Sequence, residues 1–244
     1  MTIETLPYPR LLRCGDAAIS VEFGDAIDPA VNARVLALDA ALAAEPPPGL
    51  LETVPTYRSL LVHLDPLRTD FRALAERILA LAEKPVATGG QVRRWRVPVV
   101  YGGDFGMDLD DLAARHGISA EALVARHAAA TYVVAMIGFM PGFAYLSGLD
   151  PLLATPRRLE PRMKTPAQSV SIGGAQGAIS TVEGPSGWHM IGRTPARGFM
   201  PGRDPVFTYA PGDEIRFERL APDEWAGLDA LAASGAPVAR CEAP

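Results

Sequence analysis

The chain has 244 residues, of which 48% are hydrophobic and 21% charged, enough for one large globular domain or two small ones. The net charge is −5 and no long basic run occurs, which argues against binding to nucleic acid or anionic membranes. Cysteines occur only near the two ends, at Cys14 and Cys241, and no apolar run approaches the roughly 20 residues of a membrane span, so we expect a soluble, unprocessed, cytoplasmic protein.

The first part of the chain alternates between strand and helix patterns. These are strands over 11–23 on either side of Gly15 and Asp16, a helix over 31–44, strands over 50–54 and 59–64, and an amphipathic helix over 69–81. The prolines at 46–48 end the first helix, because proline lacks the amide donor that a helix uses. We predict a small α/β domain over residues 1–88, with a polar, glycine-bearing linker at 84–91.

The second part begins with similar elements and then becomes rich in proline and glycine. Its patterns are a strand over 94–101, helices over 108–116 and 119–129, a strand over 131–137, a hairpin over 169–179, a strand over 214–219 and a helix over 222–233. Asp108 and Ser119 are the expected caps of the two internal helices. We predict a β-rich barrel or sandwich over residues 92–220, followed by a C-terminal helix and a loose tail over 221–244.

One loop, residues 138–146, combines aromatic rings with proline and glycine directly after an apolar strand. Glycine lets the backbone approach a ligand, and proline stiffens the turn. The rings of Phe139, Phe143 and Tyr145 offer an apolar wall with one phenolic hydroxyl. The loop is therefore a candidate binding element, although Phe139 and Phe143 equally suit a core that closes one end of a barrel.

The pentapeptide Gly-Phe-Met-Pro-Gly occurs twice, at residues 138–142 and 198–202. Two such turns would suit a single shared cavity. No wider repeat surrounds them, so coincidence is the simpler explanation and the sequence does not establish a duplication.

Four cations lie within eight residues on a stretch whose prolines prevent a regular helix, namely Arg157, Arg158, Arg162 and Lys164. An arginine fork recognises carboxylate or phosphate through two hydrogen bonds, so one or two of these arginines are candidates to hold an anionic substrate. For any single arginine, a solvated surface or a salt bridge is the alternative. The dipeptide at 163–164 distantly resembles a biotin-acceptor lysine, but its flanking residues do not match, so no biotin is expected on this chain.

Residues 185–195 are the densest cluster of unusual residues in the chain. Gly187 allows uncommon backbone angles, and Trp188 offers a wall for a binding site. Arg193 and Thr194 carry donors that suit an anion. This cluster is a second candidate binding element.

Two histidines are candidate general bases. His189 lies within this cluster, but its alternation with Trp188 and Met190 is more typical of a strand residue. His127 precedes the aromatic loop on a short predicted helix, where a structural hydrogen bond is the alternative role. The sequence alone leaves both roles open for each histidine.

Motifs of self-sufficient enzymes are absent from the sequence. It contains no Gly-rich phosphate loop ending in Gly-Lys-Ser/Thr, no zinc-binding helix motif, no Gly-x-Ser-x-Gly nucleophile elbow and no dinucleotide fingerprint. We therefore expect one component of a larger assembly rather than a complete enzyme, without a metal site of its own.

These motifs together resemble those of a known family, which comprises KipI, allophanate hydrolase subunit 1 and the B subunit of 5-oxoprolinase. Their order and spacing match over roughly residues 94–219, and parts of the first domain match as well. The matching segments are residues 15–16, 21–24, 54–57, 59–60, 138–146, 155–157, 161–162, 166–174 and 187–195.

The resemblance implies an α+β chain with a small α/β N-terminal domain followed by a cyclophilin-like β-barrel domain. It implies the B subunit of an ATP-dependent 5-oxoprolinase-type amidohydrolase, which converts 5-oxoproline, ATP and water into glutamate, ADP and phosphate. Such a chain works only with partners, a homologous subunit of the C type and a lactam-utilisation subunit of the A type, and ATP enters through the assembled complex. A histidine-kinase inhibitor of the KipI type and one half of a biotin-dependent carboxyltransferase are the alternatives within the family.

Candidate site residues combine the resemblance with the residue types. The candidate catalytic residues are His127, Tyr145 and Arg193. The candidate substrate-binding residues are Phe139, Pro141, Gly142, Arg157, Arg162, Gly187, Trp188 and Thr194.

Three positions depart from the pattern expected of the family. Gln168 and Ser186 stand where glycines are expected, and Ser180 stands where a tyrosine is expected. Such changes alter the shape of a pocket before they alter a fold. A related lactam or amide is therefore an alternative substrate to 5-oxoproline.

Overall fold

The computed structural model describes residues 7–86 and 92–242, and the chain divides into two compact units, Met1–Gly90 and Gln91–Pro244. Residues 87–91, which make up most of the predicted linker, lie outside the described residues. The limits of the two predicted domains therefore stay a prediction. None of the helices in the described ranges is long and apolar enough to span a membrane.

The first unit is an antiparallel sheet with two helices. Its elements are β1 (Arg10–Arg13), β2 (Ala18–Glu22), α1 (Pro29–Ala44), β3 (Leu50–Pro55), β4 (Ser59–Leu64) and α2 (Phe71–Ala82). The strand order is β1-β2-β4-β3. The carboxylates of Asp28 and Asp70 cap the two helices by accepting backbone amide hydrogens of the first turns. Apolar residues at helical spacing, such as Val35 and Leu38, pack into one core with strand residues such as Val62.

The second unit contains a closed barrel. Its elements are β5 (Arg94–Tyr101), α3 (Leu109–Arg115), α4 (Ala120–Ala129), β6 (Tyr132–Ile137), β7 (Ala144–Ser147), β8 (Arg162–Thr165), β9 (Ser169–Gly173), β10 (Gln176–Ile179), β11 (Gly184–Ser186), β12 (His189–Arg193), β13 (Glu214–Arg219), α5 (Trp225–Ala233) and β14 (Arg240–Glu242). Seven strands follow one another in the order β12-β9-β10-β7-β6-β13-β5, and β5 pairs with β12 to close the ring. Strands β8 and β11 form a separate two-stranded ribbon.

The predicted fold class is confirmed, with a mixed α/β chain and a closed β-barrel. The predicted helices and strands of both units occur close to their expected positions. The expectation of a loose tail is wrong for Arg240–Glu242, which pairs with the start of β5 as strand β14. Short edge strands of this kind have little pattern of their own, because a neighbouring strand supplies their hydrogen bonds.

Asp108 does not cap α3, contrary to expectation, whereas Ser119 does cap α4 by accepting from the Ala122 amide. The Asp108 carboxylate instead accepts hydrogen bonds from the backbone amide of Met190 and from two arginines of the segment at 157–162. Capping a helix is worth about 1 kcal/mol. A buried carboxylate that lost its two guanidinium partners would cost more than that, so Asp108 pairs with the arginines instead of capping α3.

His127 is a core residue rather than a solvent-facing base. Its side chain is fully buried, stacks on Phe217 at 4.7 Å between ring centroids, and shares a 2.9 Å hydrogen bond between Nδ1 and the Tyr101 hydroxyl. Burial lowers the pKa of His127 to about 3, because the charged imidazolium is not solvated there. The imidazole is therefore neutral at physiological pH.

Replacing His127 with glutamine should make the barrel less sensitive to acid. Below an ordinary histidine pKa of about 6.5 the unfolded chain binds a proton that folded His127 does not, so stability falls as the pH drops. From pH 7 to pH 5 this group costs about 2 kcal/mol of unfolding free energy. Urea unfolding of both proteins at the two pH values measures the difference. The matched control is His63→Gln in the first unit. An equal change in unfolding free energy between pH 7 and pH 5 in wild type and His127→Gln would contradict the prediction.

Candidate functional site

The candidate site is a cleft of about 230 Å³ in the barrel unit, which we call the Trp188 cleft. The aromatic loop, the arginine segment and strand β11 meet there with the two residues that precede β12. Its lining residues are Phe139, Phe143, Tyr145, Arg157, Arg158, Pro161, Pro185, Ser186, Gly187 and Trp188.

The wall of the Trp188 cleft is a set of aromatic rings in mutual contact. The Tyr145 ring centroid lies 4.7 Å from that of Phe143 and 5.8 Å from that of Trp188. Phe139 lies 5.9 Å from Phe143 at a right angle and keeps 67% of its surface exposed. Phe139 also adopts φ of 67°, a left-handed conformation that is strained for a bulky residue and is frequent at binding sites.

Tyr145 keeps its phenolic proton. Burial raises the pKa of its hydroxyl, and the positive charge of Arg157 only partly opposes that change. A phenol that remains protonated can donate a hydrogen bond to a ligand oxygen. Tyr145 is thus suited to polarise a carbonyl rather than to remove a proton.

Arg157 is the cation that faces this aromatic wall. Its guanidinium carbon lies 5.3 Å from the centre of the Trp188 ring. The residues on either side of it are anchored, since the His189 ring donates to the Pro156 carbonyl at 3.0 Å and the Arg158 amide donates to the Gly187 carbonyl at 2.7 Å. No ion pair within residues 7–86 and 92–242 involves Arg157, which leaves its fork available to an anion.

The neighbouring arginines are neutralised by Asp108. Arg162 donates to both carboxylate oxygens at 2.7 and 2.6 Å, and Arg158 donates to one of them at 3.2 Å. Burial alone would raise the pKa of Asp108, but the hydrogen bonds from Arg162 and the Met190 amide and the nearby guanidinium charges outweigh it and lower the pKa. Asp108 therefore stays charged and holds the arginine segment in place.

A narrow crevice continues from the Trp188 cleft between the barrel strands. It shares Phe139, Phe143, Pro185, Ser186 and Trp188 with the cleft. It adds a group of hydroxyls, those of Thr165, Ser169, Ser171 and Ser180. Thr165 is only 7% exposed, and its Oγ1 has no hydrogen-bond partner within the described part of the chain. A buried hydroxyl without a partner is a ready donor or acceptor for a bound molecule.

Several predicted site residues lie elsewhere. Thr194 is fully buried and accepts from the Ala196 amide, while Arg193 donates to the Ala167 carbonyl and stacks 4.9 Å from the Trp225 ring. Neither lines the cleft, nor does His127, whose burial in the core removes it from any solvent-facing role. Their catalytic and binding roles stay predictions, which the geometry of this cleft does not support.

Pro141 and Gly142 do not line the cleft, but they belong to the loop that carries Phe139 and Phe143. The Thr181 hydroxyl donates to the Pro141 carbonyl, and a Cβ on Gly142 would lie 2.8 Å from the Cβ of Phe199. The two copies of the pentapeptide thus pack against each other. Only the first copy lines the cleft and the crevice, so the two turns do not share this cavity.

The three departures from the family pattern have distinct positions. Gln168 adopts φ of 60°, in the left-handed region that favours glycine, and its side chain is buried away from the cleft. Ser180 lines the crevice and accepts from the Ser169 amide at 2.9 Å. Ser186 lines the cleft and accepts from the Trp188 amide at 3.1 Å. Two of the three therefore change the surface that a ligand would contact.

Sequence reasoning missed the role of Asp108 and the hydroxyl crevice. Asp108 and Arg162 are 54 residues apart, and no local pattern connects them. The alternation of Ser169 and Ser171 along one strand does carry a signal, because residues two apart share a face.

Replacing Gly173 with alanine should displace the Trp188 ring. An alanine methyl there would lie 2.5 Å from Trp188 Cδ2, closer than van der Waals contact allows. We expect a loss of about 1–3 kcal/mol in unfolding free energy and a changed Trp188 fluorescence. The matched control is Gly187→Ala, whose methyl would find its nearest neighbour at 3.7 Å. Equal stability of both variants would show that the indole is not packed as described.

Within the described ranges no group of three or more histidine, cysteine, aspartate or glutamate side chains is placed to hold a metal ion. The aromatic wall, the phenol and the unpaired guanidinium together suit a small, flat molecule that carries a carboxylate.

Comparisons with known proteins match this architecture. The B subunit of 5-oxoprolinase from Bacillus subtilis is 34% identical, over 86% of this chain and 92% of that protein. A crystal structure of TTHA0988 is 35% identical with a TM-score of 0.75, covering 84% of this chain and 40% of that longer chain. The urea amidolyase of Kluyveromyces lactis shares the fold, with a TM-score of 0.80 at 19% identity, over 96% of this chain and 16% of that chain. Residues 9–209 match the family model of the carboxyltransferase domain, subdomain C and D, so the chain belongs to that family.

Proposed function

We propose that this chain is the B subunit of an ATP-dependent 5-oxoprolinase-type amidohydrolase, and that it works with partner subunits. The observation that carries the proposal is the relative from Bacillus subtilis named as the B subunit of 5-oxoprolinase, of which the chain covers 92% at 34% identity. The reaction converts 5-oxoproline, ATP and water into glutamate, ADP and phosphate. The Trp188 cleft is the proposed binding site for the cyclic amide.

The chemistry of the cleft supports this substrate class. At about 230 Å³ it lies below the range of about 300–1,000 Å³ for drug-sized ligands, which suits a five-membered ring with one carboxylate. Arg157 pairs with the carboxylate, and the rings of Phe143 and Trp188 contact the lactam ring. The Tyr145 phenol donates to the lactam carbonyl and polarises it for attack.

Partner subunits supply the remaining steps. The sequence contains no phosphate-binding loop motif, and ATP is proposed to enter through the assembled complex. The proposed partners are a homologous subunit of the C type and a lactam-utilisation subunit of the A type. In this arrangement the chain binds and orients the amide while the complex provides the phosphoryl donor.

The experiment that tests this function uses the chain mixed with subunits of the A and C types, with ATP present. Glutamate release from 5-oxoproline is compared with ring opening of 2-pyrrolidinone, the lactam without the carboxylate. We expect a preference of at least about tenfold in kcat/KM for 5-oxoproline, because a charge-assisted hydrogen bond is worth about 1.5–3 kcal/mol. Equal turnover of both lactams would contradict recognition of the carboxylate.

A further inference from the structure

A second cavity in the barrel unit shares no lining residue with the Trp188 cleft. It has a volume of about 320 Å³ and lies between the start of β5, the loop at 196–208 and the segment after α5. We call it the Trp95 pocket and define it by Arg93, Trp95, Arg197, Arg203, Pro237 and Val238.

The charges around the Trp95 pocket leave one guanidinium uncompensated. Arg93 pairs with Asp213 at 2.7 Å, and Arg197 pairs with Asp229 at 2.7 Å. Arg203 has no ion pair within the described residues, although the carboxylate of Asp204 also lines the pocket. An anion that enters the pocket therefore finds a guanidinium without a carboxylate partner.

Arg203 is held in a fixed orientation by neutral oxygens. Its Nε donates to the Pro205 carbonyl at 3.1 Å, and its Nη2 donates to the Thr208 hydroxyl at 2.5 Å and to the Arg197 carbonyl at 3.3 Å. These bonds restrict the side chain before any ligand arrives. A pre-ordered guanidinium loses little conformational entropy when it binds an anion.

The other wall of the Trp95 pocket is apolar and equally ordered. The Trp95 indole donates from Nε1 to Asp213 at 2.9 Å and meets the Tyr209 ring edge-on at 5.6 Å between centroids. Pro237 and Val238 complete this wall. A charged fork opposite a fixed aromatic and aliphatic wall matches a ligand with an anionic and an apolar end.

We propose that the Trp95 pocket binds a small organic anion, with a phosphate or carboxylate on Arg203 and an aromatic or other apolar group against Trp95, Pro237 and Val238. This site is independent of the Trp188 cleft and of the proposed lactam reaction. Its volume, near the lower end of small-molecule sites, fits a monocyclic ligand.

The test uses the full chain labelled with 5-fluorotryptophan and phenyl phosphate as the probe. The chain has 3 tryptophans, so fluorine NMR reports Trp95, Trp188 and Trp225 separately once Trp→Phe variants assign them. We expect a saturable shift of the Trp95 resonance alone. Inorganic phosphate and phenol, which each lack one end of the probe, should bind at least about tenfold more weakly. A shift of Trp188 in place of Trp95, no shift, or equal binding of either fragment would overturn the proposal.

Two variants that remove charges of opposite sign test whether Arg203 binds the anion. Arg203→Gln should weaken phenyl phosphate binding at least about tenfold, and Asp204→Asn should strengthen it about two- to fivefold, because it removes a repelling carboxylate. Arg115→Gln, an exposed arginine on α3, is the control and should change nothing. Unchanged affinity in Arg203→Gln would overturn the proposal.

A further variant covers the case in which Arg203→Gln disturbs the loop. An altered Trp95 resonance in the ligand-free variant would reveal such a disturbance. Pro237→Glu then tests the site from its exposed rim, because it adds a carboxylate without touching the hydrogen bonds of Arg203. Weaker binding in Pro237→Glu supports the site, and unchanged binding rejects it.

Discussion

Arg157→Gln lowers kcat/KM for 5-oxoproline in the assembled enzyme by about 10- to 150-fold, if the cleft binds as proposed. Glutamine removes the charged fork that pairs with the substrate carboxylate, and a hydrogen bond to a charged group is worth about 1.5–3 kcal/mol. The loss should appear mainly in KM if the carboxylate contact is equal in ground and transition states. Steady-state glutamate formation with the reconstituted complex measures it.

The carboxylate-free lactam provides an internal control for this variant. Turnover of 2-pyrrolidinone should be nearly unchanged by Arg157→Gln, because that substrate offers the guanidinium nothing to bind. Arg126→Gln is the matched protein control, since Arg126 is a half-exposed arginine on α4 that pairs with Asp150 at 3.0 Å. An equal loss for both lactams would assign Arg157 a structural role in place of substrate binding.

Asp108→Ala is expected to destabilise the barrel unit strongly. It leaves the guanidiniums of Arg158 and Arg162 without their carboxylate and the buried Met190 amide without its acceptor. Breaking a buried ion pair costs about 3–5 kcal/mol. We expect about 3 kcal/mol here, because the arginine side chains keep 27% and 24% exposure and remain partly hydrated. Urea unfolding measures the loss, with the exposed Asp110→Ala as control at under about 1 kcal/mol.

The pH dependence of the stability of Asp108→Asn separates the contribution of the carboxylate charge from that of the side-chain shape. The lowered pKa of Asp108 means that its carboxylate stabilises the fold fully above the ordinary aspartate pKa of about 3.9. That stabilisation is lost as the pH falls through the lower pKa of the folded state. The stability difference between wild type and Asp108→Asn should therefore be constant from pH 5 to 7 and shrink in stronger acid. A difference that persists unchanged at pH 2 would contradict the ion-pair account.

Local patterns in the sequence predicted most of the elements because those patterns are complete within a few turns. The recurrence of Val35, Leu38 and Leu42 defines the buried face of α1 by itself. The closure of the barrel has no such local signal, since it joins Tyr101 to Gly192. The barrel itself was therefore expected from the family resemblance rather than from the pattern of any one segment.

Part of the candidate site can likewise be predicted from local sequence, and part depends on contacts between distant residues. The aromatic loop and Trp188 are recognisable from composition, and both line the cleft. Choosing among the arginines required the fold, because Asp108 neutralises Arg158 and Arg162 and leaves Arg157 free of any ion pair in the described chain. His127 illustrates the opposite case, since its burial depends on Tyr101 and Phe217, which are far from it in sequence.

We propose that this chain contributes the lactam site of a multi-subunit hydrolase. The most direct measurement is ATP-dependent glutamate formation from 5-oxoproline by three preparations, which are this chain alone, its partner subunits alone and the verified complex. We expect turnover by the complex only. Turnover by the partners alone at the rate of the complex, or none by the complex, would contradict it.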